Sequence, residues 1–406
     1  MSKRLTQKVD SEVMIRINRR LILQLIRQKH SISRADLVKL TGLAAPTVSR
    51  IVDRLVNDEQ LVRYGRMGDS SGGRPPVILE FNSKGRHVLG IDLGATLIRG
   101  VLADLDAEIE MEVQLPTHTH EGYEAVVDMV VLVVERLLSK RGLDPKTVIG
   151  LGIGVAGLLD KAKQTVKFSS GFEWSEKQLK ADLEARIKIP LFLENSTRLM
   201  ALGEKAFGKG HELRNFVVAN VGYGIAAGIV VEGQLVHGGG GYAGEFGHMT
   251  VDPASEVICL CGRKGCLEAL ASGRSIGLAA RQNAEAARSI STECHVKVDR
   301  IDAKIVFEAF QKGNPFAEQI CLNAIKWLSM GVANLIHLLD PTHVFIGGGL
   351  SLSGEYFWKP LNNEIRKRVL LPNREVEILP AEFKEYATVV GSLAMVLDAI
   401  LGLEIG

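Results

Sequence analysis

Hydrophobic positions recur with helical spacing through the first sixty residues and then give way to short apolar runs. Leu21, Ile22, Leu25 and Ile26 mark one face of a helix near residues 19–29. Ser33 precedes a second, shorter pattern in which Leu37, Val38 and Leu40 face inward, and Asp36, three residues on, completes a capping box. Thr41-Gly42-Leu43 predicts a tight turn, because glycine tolerates positive φ. Ala45-Pro46 opens a third helix, where proline's missing N–H would have no partner in the first turn anyway; Val48, Ile51, Val52 and Leu55 form its buried stripe. Leu61–Tyr64 and Val77–Phe81 read as two short strands around a loop holding Ser71-Gly72-Gly73-Arg74-Pro75-Pro76.

Beyond residue 82 apolar runs end in glycine turns. Val88 to Asp92 runs into Gly94-Ala95-Thr96, and a second strand follows over Ile98–Asp104. Val221-Gly222-Tyr223-Gly224 interrupts a second pair of apolar runs, and Gly347-Gly348-Gly349 closes a strand near the C-terminus. Three such turns at strand ends predict two α/β lobes facing a cleft. An acidic residue followed by glycine and threonine, as at Asp92–Thr96, suits a phosphate–magnesium group. Val126–Leu138 is an apolar-rich helix on a sheet face, and Lys326–Leu339 is a second, central to a lobe or to a dimer contact.

Charge separates the two regions. Residues 1–82 carry 15 Lys and Arg against 8 Asp and Glu, a net +7, whereas the remainder carries 34 against 39. A basic head on a mildly acidic body suits a polyanionic partner. The outer face of the third helix shows Thr47, Ser49, Arg50 and Arg54, groups that reach base edges or phosphates. Ser33 and Arg34 at the start of the second helix, and Pro46 at the start of the third, complete the candidate contacts. This is the layout of a winged helix-turn-helix with its recognition helix in the major groove. Arg74 either enters an A·T-rich minor groove or sits in a plain linker. The apolar stretch Phe216–Val231 is too short to span a bilayer, and Met-Ser-Lys-Arg opens no apolar leader, so the expectation is a cytoplasmic protein with no membrane partner.

Candidate metal chemistry is concentrated in one place. Cys259, Cys261 and Cys266 fall within eight residues, just after His248, and three thiolates with one imidazole close a tetrahedral zinc site. Glu245 and Glu268 bracket the cluster. Cys294 and Cys321 read as inert thiols, and His295 has no partner at ligand spacing. His118 and His120 read as a solvated pair on one side of a strand.

Asp92-Leu-Gly-Ala-Thr96, Gly154-Val-Ala-Gly157, Glu194-Asn195, Gly244-Glu-Phe-Gly-His248 and the segment Cys259–Glu268 together resemble the ROK family of repressors and sugar kinases, over roughly residues 15–400. The resemblance implies an actin-like, hexokinase-like body with structural zinc at His248, Cys259, Cys261 and Cys266. It places the winged head at 1–82, a first lobe at 83–195 joined by the C-terminal helix at about 385–406, and a second lobe at 196–384 carrying the zinc loop and dimer contacts. It also implies that Asn195, Glu245, His248 and Glu268 contact sugar hydroxyls. One ring nitrogen of His248 would hold zinc while the other faces the sugar. The kinases carry an aspartate base where this chain has Ser196, which has no proton affinity near neutral pH. Tyr223 replaces a threonine of the phosphate turn, and Ser169-Ser170-Gly171 replace the residues before the tryptophan, kept here as Trp174.

The expectation is therefore a sugar-responsive repressor of carbohydrate-utilisation genes, without kinase activity, binding operator DNA as a homodimer or homotetramer. Two other readings stay open: an active sugar kinase with a DNA-binding head, and a repressor governed by a sugar-transport protein.

Overall fold

The structure is a computed structural model and describes residues 11–67, 76–160 and 164–402; Arg74 lies outside the described residues. Helix α1 (Ser11–Lys29) buries Ile22, Leu23 and Ile26. Leu21 instead is 38% exposed, because the seam is formed by Leu23 and by Ile22 and Ile26, one turn apart. Strand β1 (Ile32–Ser33) leads into α2 (Arg34–Thr41). There the capping box forms: Asp36 N donates to Ser33 Oγ at 3.2 Å, and Ser33 N donates to Asp36 Oδ2 at 3.1 Å. Helix α2 is two turns long and packs along one edge. It buries Leu37 and leaves Leu40, expected inside, 56% exposed. Gly42 ends it at φ +69°. Helix α3 (Ala45–Asn57) buries Val48, Ile51, Val52 and Leu55. Strands β2 (Val62–Met67) and β3 (Val77–Phe81) are antiparallel, and β1 pairs with the other edge of β3.

The body repeats one topology. Strands β4 (His87–Leu93), β5 (Leu97–Ala103) and β6 (Ile109–Pro116) are antiparallel neighbours joined by short turns. Helix α4 (Tyr123–Arg141) then carries the chain back so that β7 (Val148–Val155) pairs parallel with β4. A side sheet of β8 (Leu158–Asp160), β9 (Thr165–Ser169) and β10 (Trp174–Lys177) follows. Helix α5 (Leu179–Arg186) leads to β11 (Leu191–Asn195), parallel to β7, and α6 (Ser196–Phe207) leaves this lobe.

In the second lobe β12 (Phe216–Val221), β13 (Ile225–Val231) and β14 (Gln234–Leu235) are antiparallel. Five helices follow: α7 (Leu267–Ala271), α8 (Gly273–Gln282), α9 (Ala284–Cys294), α10 (Ala303–Gln311) and α11 (Pro315–Leu339). Strand β15 (His343–Gly347) pairs parallel with β12; α12 (Glu355–Arg368) and β16 (Glu377–Pro380), parallel to β15, complete the lobe. Numbered within its own lobe, each sheet has the order 3-2-1-4-5.

Helix α13 (Ala387–Leu401) packs on β4 and β7 and crosses α6, which in turn packs on β12 and β13. The crossing is close: a Cβ at Gly391 would stand 1.8 Å from the Leu199 carbonyl oxygen. The head shares a core with this helix, since Ile22, Ile26, Leu55 and Leu79 belong to one cluster with Val389, Leu393 and Leu397. Polar contacts fix the docking. Arg20 Nη2 donates to Asp398 O at 2.8 Å and Arg19 Nη1 to Ile400 O at 3.3 Å. Arg86 donates to the carbonyls of Glu59 (2.9 Å), Asp58 (3.1 Å) and Lys146 (2.8 Å), joining the end of α3 to the first lobe.

Candidate functional site

A cleft of about 640 Å³ lies between the lobes. The strands that end there set its floor, because parallel strands and their glycine turns present backbone and short side chains at their C-terminal ends. Asp92 ends the straight part of β4, Asn195 ends β11, and Ser196 starts α6, all lining the cleft. The opposite wall carries Tyr223, Glu245, His248 and Glu268, and Thr388 enters from the first turn of α13. The four expected sugar residues thus share one cavity.

Their polar capacity differs. Asn195 caps α6, its Oδ1 accepting from Thr197 N (2.9 Å) and Arg198 N (3.1 Å), while Nδ2 donates to Gly157 O (3.0 Å). One amide hydrogen is left for a ligand. Glu268 Oε2 accepts from Ile225 N at 2.8 Å. Burial pushes the Glu245 carboxyl up to about 7; Arg198 opposes the rise and the nearby Glu268 adds to it. Burial likewise raises Asp92 to about 6, against the pull of Arg99 and a hydrogen bond with Thr388. Ser196 and Tyr223, the latter 57% exposed on the β12–β13 turn, also line the cleft.

The thiolate cluster borders this wall. Cys261 Sγ and Cys266 Sγ are 3.7 Å apart, Cys259 Sγ and His248 Nδ1 are 3.6 Å apart, and all four donors lie within 4.8 Å of one another. Tetrahedral zinc with bonds of about 2.3 Å to sulfur and about 2.0 Å to nitrogen needs edges of about 3.8 and 3.5 Å, so these residues fit the ion. His248 Nε2 lies 4.0 Å from Glu245 Oε2, on the cleft side of the ring.

On the head, Pro46, Arg50 and Arg54 are exposed and Thr47 and Ser49 half-buried on the outer side of α3. Arg54 Nε lies 3.1 Å from Glu59. Arg34 is engaged by Asp53 (2.5 Å) and by the Tyr64 hydroxyl (2.9 Å). Ser33 departs from its expected place on this surface. It is 5% exposed, with its N–H and hydroxyl committed to Asp36, and so sets the start of α2 from beneath.

Sequence reasoning missed a second polar network, because His237 and the Ala243 carbonyl reach Glu194 and Arg198 from more than forty residues away. Arg198, 3% exposed, donates through Nε to Glu194 Oε1 (2.8 Å) and through Nη1 to Ala243 O (3.3 Å). His237 Nε2 lies 3.0 Å from Glu194 Oε2, and Asn195 N donates to Oε1 at 2.7 Å. Burial opposes ionisation of Glu194, yet His237, Arg198 and the Asn195 N–H together hold its carboxyl at about 2. An arginine two residues beyond the Ser196 position was the available signal.

Comparison with known proteins agrees with this geometry. The ROK family pattern matches residues 88–399, and a winged helix-turn-helix DNA-binding pattern matches residues 15–61. A xylose repressor of Caldicellulosiruptor bescii is 32% identical over 392 residues, covering 95% of this chain and 96% of that protein. The crystal structure of a ROK family transcriptional regulator, a homologue of the E. coli MLC protein, superposes with a TM-score of 0.78 at 26% identity, covering 97% and 99% of the two chains. A Streptomyces griseus ROK glucokinase, solved with glucose and AMPPNP, superposes with a TM-score of 0.68 at 30% identity, covering 76% of this chain and 98% of that one. With the ROK pattern matched over more than three-quarters of the chain and a winged helix-turn-helix in front, the chain belongs to the ROK family.

Proposed function

We propose that this protein is a sugar-responsive transcriptional repressor that has lost phosphoryl transfer. What supports the reading is a winged head joined through α13 to a two-lobed body whose cleft is lined by Ser196, the residue that the family resemblance sets against the kinases' aspartate. Without a proton acceptor there, a bound sugar hydroxyl is held but not activated. The likeness to a xylose repressor makes an aldopentose, xylose first, the effector to try.

In this reading Arg50, Arg54, Thr47, Ser49 and Pro46 meet the operator's major groove with Arg34 beside them, and Arg74 is offered to the minor groove. Two copies would address a two-fold operator. Zinc at His248, Cys259, Cys261 and Cys266 would be structural, fixing the wall that bears Glu245 and Glu268. Ligand occupancy would reach the head through α13, whose first turn carries Thr388 in the cleft and whose last carbonyls are held by Arg19 and Arg20. The sugar shifts DNA affinity only by its differential affinity for the two lobe arrangements.

The test is a gel-shift on the DNA upstream of the protein's own gene, with xylose, glucose and N-acetylglucosamine added separately. Release by one sugar supports the reading; a complex that ignores them all overturns the free-sugar part of it. A coupled ATP assay with the same sugars addresses catalysis, and turnover at ordinary kinase rates would overturn the role given to Ser196.

A further inference from the structure

The segment after β6 does not continue as a strand. Strand β6 stops at Pro116, and Thr119–Glu121 form a single 3-10 turn that brings Glu121 to the two histidines. Among the described residues this is the second group of three or more donors able to meet at one ion, apart from the thiolate cluster. We propose that His118, His120 and Glu121 form a second, exchangeable site for a borderline divalent metal ion such as Zn²⁺ or Ni²⁺.

Three observations carry this. The first is distance: His118 Nδ1 lies 3.0 Å and His120 Nε2 lies 3.7 Å from Glu121 Oε1, and the three donors fall within 4.8 Å of one another. Bonds of about 2.0–2.2 Å to nitrogen and oxygen require donor–donor edges of about 3–3.5 Å, so small side-chain rotations suffice. The second is donor type. Two imidazoles and a carboxylate suit zinc, nickel or cobalt, whereas calcium and magnesium prefer an all-oxygen shell. The third is anchorage. Thr117 is fully buried, its Oγ1 donating to Gly94 O at 2.6 Å and its N–H to Thr96 O at 3.1 Å. Glu121 N donates to His118 O at 3.0 Å and closes the turn, with His118 at φ +55°.

The three side chains are open to solvent, at 36%, 79% and 54% exposure, so an ion here would exchange readily and keep free positions for water. Because Thr117 is bonded to the Gly94–Thr96 turn, which lines the cleft, a bound ion would stiffen that turn.

The experiment uses the full chain, first given one equivalent of zinc for the thiolate cluster and then titrated with Ni²⁺ by calorimetry. About one nickel per chain is expected. His120→Ala and Glu121→Gln should each weaken nickel binding about tenfold or more with an unchanged thermal melt. Cys261→Ser should retain nickel at this site, and Co²⁺ added to the zinc-loaded wild-type chain should show ligand-field bands without thiolate charge transfer. A zinc-loaded wild-type chain that takes up no nickel, or variants that bind it as wild type does, would overturn the proposal.

Discussion

Replacing Glu194 by glutamine removes the carboxylate that pairs with the buried Arg198 guanidinium four residues along the chain. The folded protein holds that carboxyl at about 2, against 4.5 in the unfolded chain. That difference corresponds to about 3 kcal/mol favouring the ionised, folded form. Since the folded value lies below the unfolded one, this stabilisation is complete at neutral pH and is lost as the pH falls through about 2. Glu194→Gln mimics the protonated state. Its cost should be about 3 kcal/mol at pH 7 and shrink to about 1.5 kcal/mol at pH 3, where the unfolded carboxyl is already protonated. An independent estimate agrees, since breaking one side of a buried ion pair costs about 3–5 kcal/mol. Urea unfolding followed by circular dichroism at both pH values reads the difference. A loss below about 1 kcal/mol at pH 7, or one that does not shrink in acid, would refute the assigned pairing.

Cys261→Ser should lower bound zinc and destabilise the second lobe; unchanged metal content by atomic absorption would remove the thiolate assignment. Arg86→Ala deletes three hydrogen bonds to carbonyls and should cost about 2 kcal/mol, with faster protease cleavage between head and body; an unchanged melt and digest would show that Arg86 does not hold the docking. Arg50→Ala should weaken operator binding about tenfold and reduce the slope of log affinity against log salt by about 0.9 if the contact is to phosphate. Unchanged binding would move the recognition face elsewhere on α3.

The head and the metal cluster were legible because their determinants are local. A capping box spans four residues, Gly42 marks its own turn, and three cysteines lie within one loop. Periodicity alone did not choose the buried face, and Leu21 and Leu40 came out exposed. The cleft was legible in its glycine turns but not in its electrostatics. Glu194 and Arg198 are four residues apart, but His237 and the Ala243 carbonyl reach them only after the second lobe has been brought to β11. The pair His118 and His120 was placed on a strand because alternating Thr and His imitate one; the 3-10 turn that recruits Glu121 follows from tertiary anchorage at Thr117.

The shared core of head and α13 also bears on biosynthesis. The residues of α1 leave the ribosome well before those of α13, since the backbone carbonyl that Arg20 grips lies 378 positions further along. The apolar side of the head therefore stays partly uncovered until α13 is translated. A prematurely terminated polypeptide lacking α13 would carry an unfinished reading head, and so would make a poor competitor for the operator against intact copies.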